Sequence, residues 1–290
     1  MSAHGFLLVD KVGGMTSHDV VAKMRKKFST KRVGHAGTLD PMATGVLVLG
    51  IGSATRLLQY VTDGLKSYDA TIRLGSATHT DDREGDVIST TDPAAVTDEA
   101  IRAGLAAMVG TIKQRPSSVS AIKIDGKAAH QRIREGEVVV IPEREVTISD
   151  ITIHEISRGE GFIDIKVSVT CSAGTYIRAI ARDLGDQLEV GGHLTELRRT
   201  LVSPFALSEC VDFESVEPIS IAEGISRIFP TRTLEFDEMN EISFGRYLAP
   251  NPEAGIVAAL SPQGEFAALL QNKDIAGKIL AAPILVAVKE

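Results

Sequence analysis

Between Gly34 and Gly45 the chain reads GHAGTLDPMATG and then passes without a break into VLVLGIG. The second half is an apolar run of strand length and predicts a buried strand. The first half cannot continue that strand. Three glycines permit tight turns and close approach of another group to the backbone, and Pro41 pushes Asp40 out of the helical region into an extended or turn conformation. One carboxylate, Asp40, is therefore held on a constrained loop against a rigid core, the arrangement by which folds present reactive groups.

The flanking sequence builds a mixed architecture. Leu7 to Asp10 read as a short strand, followed by a turn at Gly13 and Gly14. Ser17 is the expected N-cap of a helix whose apolar face is Val20, Val21, Met24 and Phe28. KSYDATIRLG alternates, with Tyr68, Ala70, Ile72 and Leu74 on one face. Asp98 to Val109 predict an amphipathic helix. EVTISDITIHEIS and GFIDIKVSVTCS predict an antiparallel pair with one face on a core. Gly174 and Thr175 then turn the chain into a helix with Ile177, Ile180, Ala181, Leu184 and Leu188 inward. Past about Glu235 the chain is short-stranded and punctuated by Gly and Pro, as expected of a separate small β domain.

Two cysteines far apart, Cys171 and Cys210, exclude a disulfide framework and a CxxC zinc site and fit a reducing cytosol. The longest apolar run, Ile279 to Val288, is too short to cross a bilayer. THTDDREGD has the wrong ligand spacing for calcium, and neither a phosphate-cradling loop nor a dinucleotide fingerprint is present. Net charge is −7. The segment from Glu209 onward holds about 13 acids and about 6 bases, which leaves the preceding part near neutral. Within that part Lys23, Arg25, Lys26, Lys27, Lys31 and Arg32 fall in one acid-free run just before the Asp40 loop. Such a run is either a solvated helix face or an edge that contacts phosphates.

Asp40 is thus a candidate nucleophile or electrostatic stabiliser. Arg178, in the first turn of its helix, opposes the helix dipole; it is either an ordinary surface arginine or the partner of a carboxylate or phosphate, and near Asp40 it would hold that carboxylate ionised. Tyr68 offers a flat face for stacking a base.

The ordered motifs DKVGGMTSHDVV, GHAGTLDPMATGVL, KSYDATIRLG with THTDDREGD, PSSVSAIKIDGK, CSAGTYIRAIARDLG and GGHLTELRRTLVSPF resemble the TruB family of tRNA pseudouridine synthases over roughly residues 6 to 205. The resemblance implies an α+β pseudouridine-synthase core with a long mixed, largely antiparallel sheet over residues 1–230. It also implies an RNA-gripping insertion at about 112–140 and a small C-terminal PUA-like domain over 235–290. It implies isomerisation of uridine at position 55 in the T loop of tRNA, with no cofactor and no metal, in a cytoplasmic enzyme. Asp40 matches the catalytic aspartate, Tyr68 the base-stacking tyrosine and Arg178 the arginine paired with the aspartate. Tyr176 and Leu197 match residues that line the uracil pocket, and His35 the histidine that enters the T loop when the target base is flipped out. Asp82 matches an acid with a supporting role. Lys23, Lys26, Lys27, Arg32, Arg198 and Arg199 are expected to contact RNA phosphates, and the T stem-loop of tRNA is the expected partner of a monomer.

The chain departs from the family pattern at Val12, where proline is usual, at Val119, where an aromatic is common, and at His130, where tyrosine is usual. Two other classes remain open at this point. One is an RNA-binding protein that remodels tRNA. The other is a nucleoside- or glycoside-hydrolysing enzyme, which would need a second carboxylate beside Asp40.

Overall fold

The computed structural model describes residues 3–117 and 141–287, with the backbone alone of 123–124 and 127–128. Most of the expected insertion, including Val119 and His130, lies outside the described residues.

Lys66–Leu74 is the middle strand of the large sheet. Gly192–Val202 and Phe162–Cys171 flank it, both antiparallel to it. Beyond Phe162–Cys171 come the long strand Arg144–Gly159 and then Gly110–Gln114. On the other side, Gly192–Val202 meets Thr44–Ile51 in the one parallel pairing of this sheet among the described residues, at Arg198 and Arg199 against Thr44 and Gly45. Thr44–Ile51 then pairs with Gly5–Lys11 and with the short Val33–His35. The alternation of Tyr68, Ala70, Ile72 and Leu74 buries that face together with Ile163, Ile165, Val167 and Val169. Helices Asp98–Ala107 and Ile177–Gln187 cover it with Ile101, Leu105, Ile177, Ile180 and Leu184. Each such side chain contributes about 1.5–3 kcal/mol by leaving water.

The VLVLGI strand is apolar throughout because both of its faces are covered. Leu47, Leu49 and Ile51 pack with Leu7 and Val9 against Val20, Val21 and Met24 of helix Ser17–Lys27. Val46 and Val48 pack with Phe6 and Leu8 against Ala258 and Leu269 of a second sheet. That sheet runs in the order Thr231–Thr233, Ile256–Leu260, Phe266–Ile275, Lys278–Val286.

Two local expectations are corrected. The N-cap of the first helix is Thr16, whose hydroxyl accepts from the Asp19 N–H while the Asp19 carboxylate accepts from the Thr16 N–H. Ser17 is instead buried as the first helical residue. The chain past Glu235 also opens with a helix, Phe236–Ser243, whose Glu238 carboxylate accepts from the Glu235 N–H. Its acidic first turn, Asp237 and Glu238, suits the positive end of a helix dipole.

Candidate active site

The loop that carries Asp40 is fastened at nearly every peptide around it. Leu39 donates its N–H to the Ser17 hydroxyl at 2.9 Å, and that hydroxyl donates to the Leu39 carbonyl at 3.2 Å. The Lys11 ammonium donates to the carbonyls of Val12, Met15 and Pro41 at 3.0, 2.7 and 3.2 Å. Three donors thus meet three acceptors. The Pro41 carbonyl also accepts from the Gly14 N–H at 2.9 Å. Lys11 is 1% exposed. Burial lowers its pKa to about 8, against the opposing pull of the Asp40 carboxylate. Lys11 was not singled out from the sequence, and Ser17 was read there only as a helix cap, not as a support of the Asp40 loop. The signal for Lys11 was present, as a cation ending an apolar strand.

The fastened loop leaves the Asp40 side chain 29% exposed. Arg178 enters from the first turn of helix Ile177–Gln187, the end of that helix aimed at the loop. Its Nη2 lies 2.9 Å from Asp40 Oδ1 and its Nη1 3.3 Å from Asp82 Oδ2. Nη1 also donates to the Thr80 carbonyl at 2.8 Å. The cation that opposes its own helix dipole is therefore balanced by two carboxylates. Arg178 is 6% exposed in its side chain and Asp82 4%. Asp82 is further held by the Thr80 hydroxyl at 2.5 Å and the Glu84 N–H at 3.0 Å. It faces Arg178 rather than the open side of Asp40. The second accessible carboxylate that hydrolytic chemistry requires is not supplied by Asp82.

Tyr68 sits on the central strand with its phenol buried. Burial raises its pKa, and the adjacent Arg199 guanidinium opposes that shift. Leu197 stands opposite Ala70 in the neighbouring strand and so shares the face of Tyr68. Tyr176 precedes the Arg178 helix. Its N–H donates to Gln114 Oε1 at 2.8 Å and its carbonyl accepts from Gln114 Nε2 at 3.1 Å, while the Arg144 guanidinium stacks 4.7 Å from its ring centre. His35 ends its strand edge-on to His18, ring centres 5.3 Å apart. Burial, then the charge of His18, lowers its pKa below the ordinary histidine range. Its surroundings therefore favour the neutral imidazole.

The six cations expected on phosphates divide. Lys26 and Arg32 are exposed. Lys23 lies over the Phe213 ring at 4.5 Å. Lys27 donates to the carbonyls of Glu214 and Val216 at 2.6 and 2.7 Å. Arg198 pairs with Asp10 at 2.6 Å and donates to the Thr44 hydroxyl at 3.0 Å. Arg199 does not reach the surface at all. Strand alternation turns it inward, opposite Tyr68, where it is 1% exposed. Its expected role as a phosphate contact is corrected on that ground.

A family model described as "TruB family pseudouridylate synthase (N terminal domain)" matches residues 25–177. Models described as "tRNA pseudouridylate synthase B C-terminal domain" and "tRNA Pseudouridine synthase II, C terminal" match 178–227 and 229–282. The chain is 51% identical over 282 residues to the tRNA pseudouridine synthase B of Corynebacterium efficiens, covering 96% of this chain and 94% of that one. It is 50% identical over 297 residues to the protein of the same name from an Arthrobacter species, covering 97% and 96%. Among solved structures, an H/ACA ribonucleoprotein bound to a substrate RNA containing 2′-deoxyuridine has a chain of similar fold. That match has a TM-score of 0.71 at 23% identity and covers 98% of this chain and 85% of that one. A Cbf5-Nop10-Gar1 complex matches at the same TM-score and 24% identity, covering 97% and 84%.

Proposed function

This chain belongs to the TruB family of pseudouridylate synthases, and from that premise we propose that it isomerises uridine to pseudouridine at position 55 in the T loop of tRNA. The observation that carries the reading is the Asp40–Arg178 pair at 2.9 Å, with the carboxylate accessible and its loop fixed. The reaction breaks the C1′–N1 bond, turns the uracil and joins C1′ to C5. The C5 proton leaves and N1 gains one, so the product is an isomer of the substrate. Asp40 is the group that assists the exchange at the glycosidic bond. Arg178 orients its carboxylate and balances its charge. Tyr68 stacks on the base and assists removal of the C5 proton. Tyr176 and Leu197 line the uracil pocket.

A base stacked within RNA hides its glycosidic bond from a protein side chain, so the nucleotide must flip out to reach Asp40. His35, packed on His18 at the sheet margin, is suited to fill the space that the base vacates. The exposed cations Lys26 and Arg32 are placed to meet the phosphates of the T stem. The catalytic unit comprises residues 1–230 and a smaller unit residues 235–290; the second sheet starts just ahead of that smaller unit, at Thr231–Thr233. We place the enzyme in the cytoplasm, acting as a monomer.

The test is pseudouridine mapping on an unmodified tRNA transcript after incubation with the wild-type protein and with Asp40→Asn. One new pseudouridine at position 55, absent with the variant, is the expected result. Modification at wild-type rate by Asp40→Asn sinks the assignment of Asp40. Release of free uracil would make the protein a hydrolase.

A further inference from the structure

We infer that Arg199 is a positioning residue for the isomerisation, the buried post that holds the Asp40 loop and the Tyr68 strand in one fixed relation. The inference rests on the reading of Asp40 as the catalytic carboxylate.

The Arg199 guanidinium reaches three backbone carbonyls that bracket Asp40. Nη2 donates to Gly37 O and Nη1 to Thr38 O, both at 3.3 Å, before the aspartate. Nε donates to Val46 O at 2.8 Å, after it. The loop leaves and re-enters the core at these points, so a single side chain sets both ends. The backbone of Arg199 is also part of the frame. It pairs with Gly45 on one side and stands opposite Tyr68 on the other. Gly45 has a φ of +100°, and a Cβ there would lie 2.2 Å from the Arg199 carbonyl oxygen. The loop can therefore end only where a glycine lets it touch Arg199.

None of the ion pairs among the described residues includes Arg199. A buried cation held by three carbonyls and the Tyr68 phenol, with no carboxylate paired to it among the described residues, is poor value as a stabilising device, since apolar replacements of buried charges are often neutral or better. Its geometry accounts for its presence. Three acceptors in different directions suit the planar fork of a guanidinium, whereas an ammonium is a point charge on one atom. The Tyr68 phenol lies beside the same guanidinium. Arg199 thus touches the Asp40 loop and Tyr68 together while it is itself 1% exposed.

The experiment compares Arg199→Met and Arg199→Lys with wild type on an unmodified T-arm stem-loop RNA. Three quantities are read: the single-turnover rate at saturating enzyme, the Kd for the RNA and the salt dependence of that Kd. The expected result is a rate about 100-fold lower in Arg199→Met, the scale of a 1 Å misplacement. Arg199→Lys is expected to recover part of that loss, with Kd and salt slope unchanged in both. An unchanged rate overturns the inference. So does a weakened Kd with the salt slope reduced by about 1, which would make Arg199 a phosphate contact. Should Arg199→Met fail to fold, Arg199→Lys carries the test by the same criteria, with a rate at least about 10-fold below wild type expected. A wild-type protein that forms no pseudouridine overturns the functional reading itself. An active wild type with an equally active Arg199 variant overturns only the inference.

Discussion

Ser17 and Leu39 exchange two hydrogen bonds, the Leu39 N–H to the Ser17 hydroxyl at 2.9 Å and that hydroxyl to the Leu39 carbonyl at 3.2 Å. The first helix is thereby joined to the residue next to Asp40. Ser17→Ala leaves a buried N–H and carbonyl without these partners, at a cost of about 1–3 kcal/mol. Denaturant unfolding should show that loss. The single-turnover rate should fall about 10-fold as the loop loosens. A variant as stable and as fast as wild type would show that the exchange holds nothing in place.

Arg178 lies between Asp40 and a buried Asp82, so removing it leaves an uncompensated charge. Arg178→Met is expected to cost about 3–5 kcal/mol. Adding Asp82→Asn should recover part of that, with a coupling of about 0.5–3 kcal/mol in a double-mutant cycle. Strict additivity would mean that the pair at 3.3 Å is not energetically linked.

Gly45 tests the close approach on which the loop geometry depends. Gly45→Ala must adopt a φ of +100° and crowd the Arg199 carbonyl. Backbone strain of this kind costs about 1–3 kcal/mol. Urea unfolding should report it, and pseudouridine formation should fall along with it. Wild-type stability in this variant would mean that the strand can shift away from Arg199 at no cost.

Stability should depend on alkaline pH in two opposing ways. Burial lowers Lys11 and Lys66 to about 8, so from about pH 8 upward the folded protein gives up protons that the unfolded chain retains up to the usual 10.5. The unfolded state then binds more protons, and stability rises with pH. The cysteines act the other way. Burial pushes Cys171 up to about 11 and Cys210 to about 12 from an ordinary 9.0, so from about pH 9 the unfolded chain ionises thiols that the folded protein keeps neutral. Urea midpoints should climb between about pH 8 and 9 and then flatten. Lys11→Met should reduce the climb. A midpoint that falls steadily from pH 8 would contradict the lysine assignment.

The sequence by itself determined the elements that depend on local pattern. The alternation of Tyr68, Ala70, Ile72 and Leu74, the apolar run after Gly45 and the helix after Thr175 were all legible, because burial of one face imposes a period that residues report one by one. The constrained loop of Asp40 was legible because Gly and Pro restrict the backbone around it, whereas the pairing of Arg178 with Asp40 at 2.9 Å was only suggested by a cation in a first helical turn. The motif order was sufficient to identify the family. What only the tertiary structure decided is which long-range groups serve those residues. The fastening of Leu39 by Ser17 and of Pro41 by Lys11 depends on how the first helix and strand lie against the loop, and no local period encodes that. Arg198 and Arg199 make the point most plainly. Adjacent and identical in the sequence, they lie on opposite faces of one strand, one paired with Asp10 at the surface and the other closed beneath the Asp40 loop. Strand alternation separates them, but only the packing of the finished sheet determines which face is the inside.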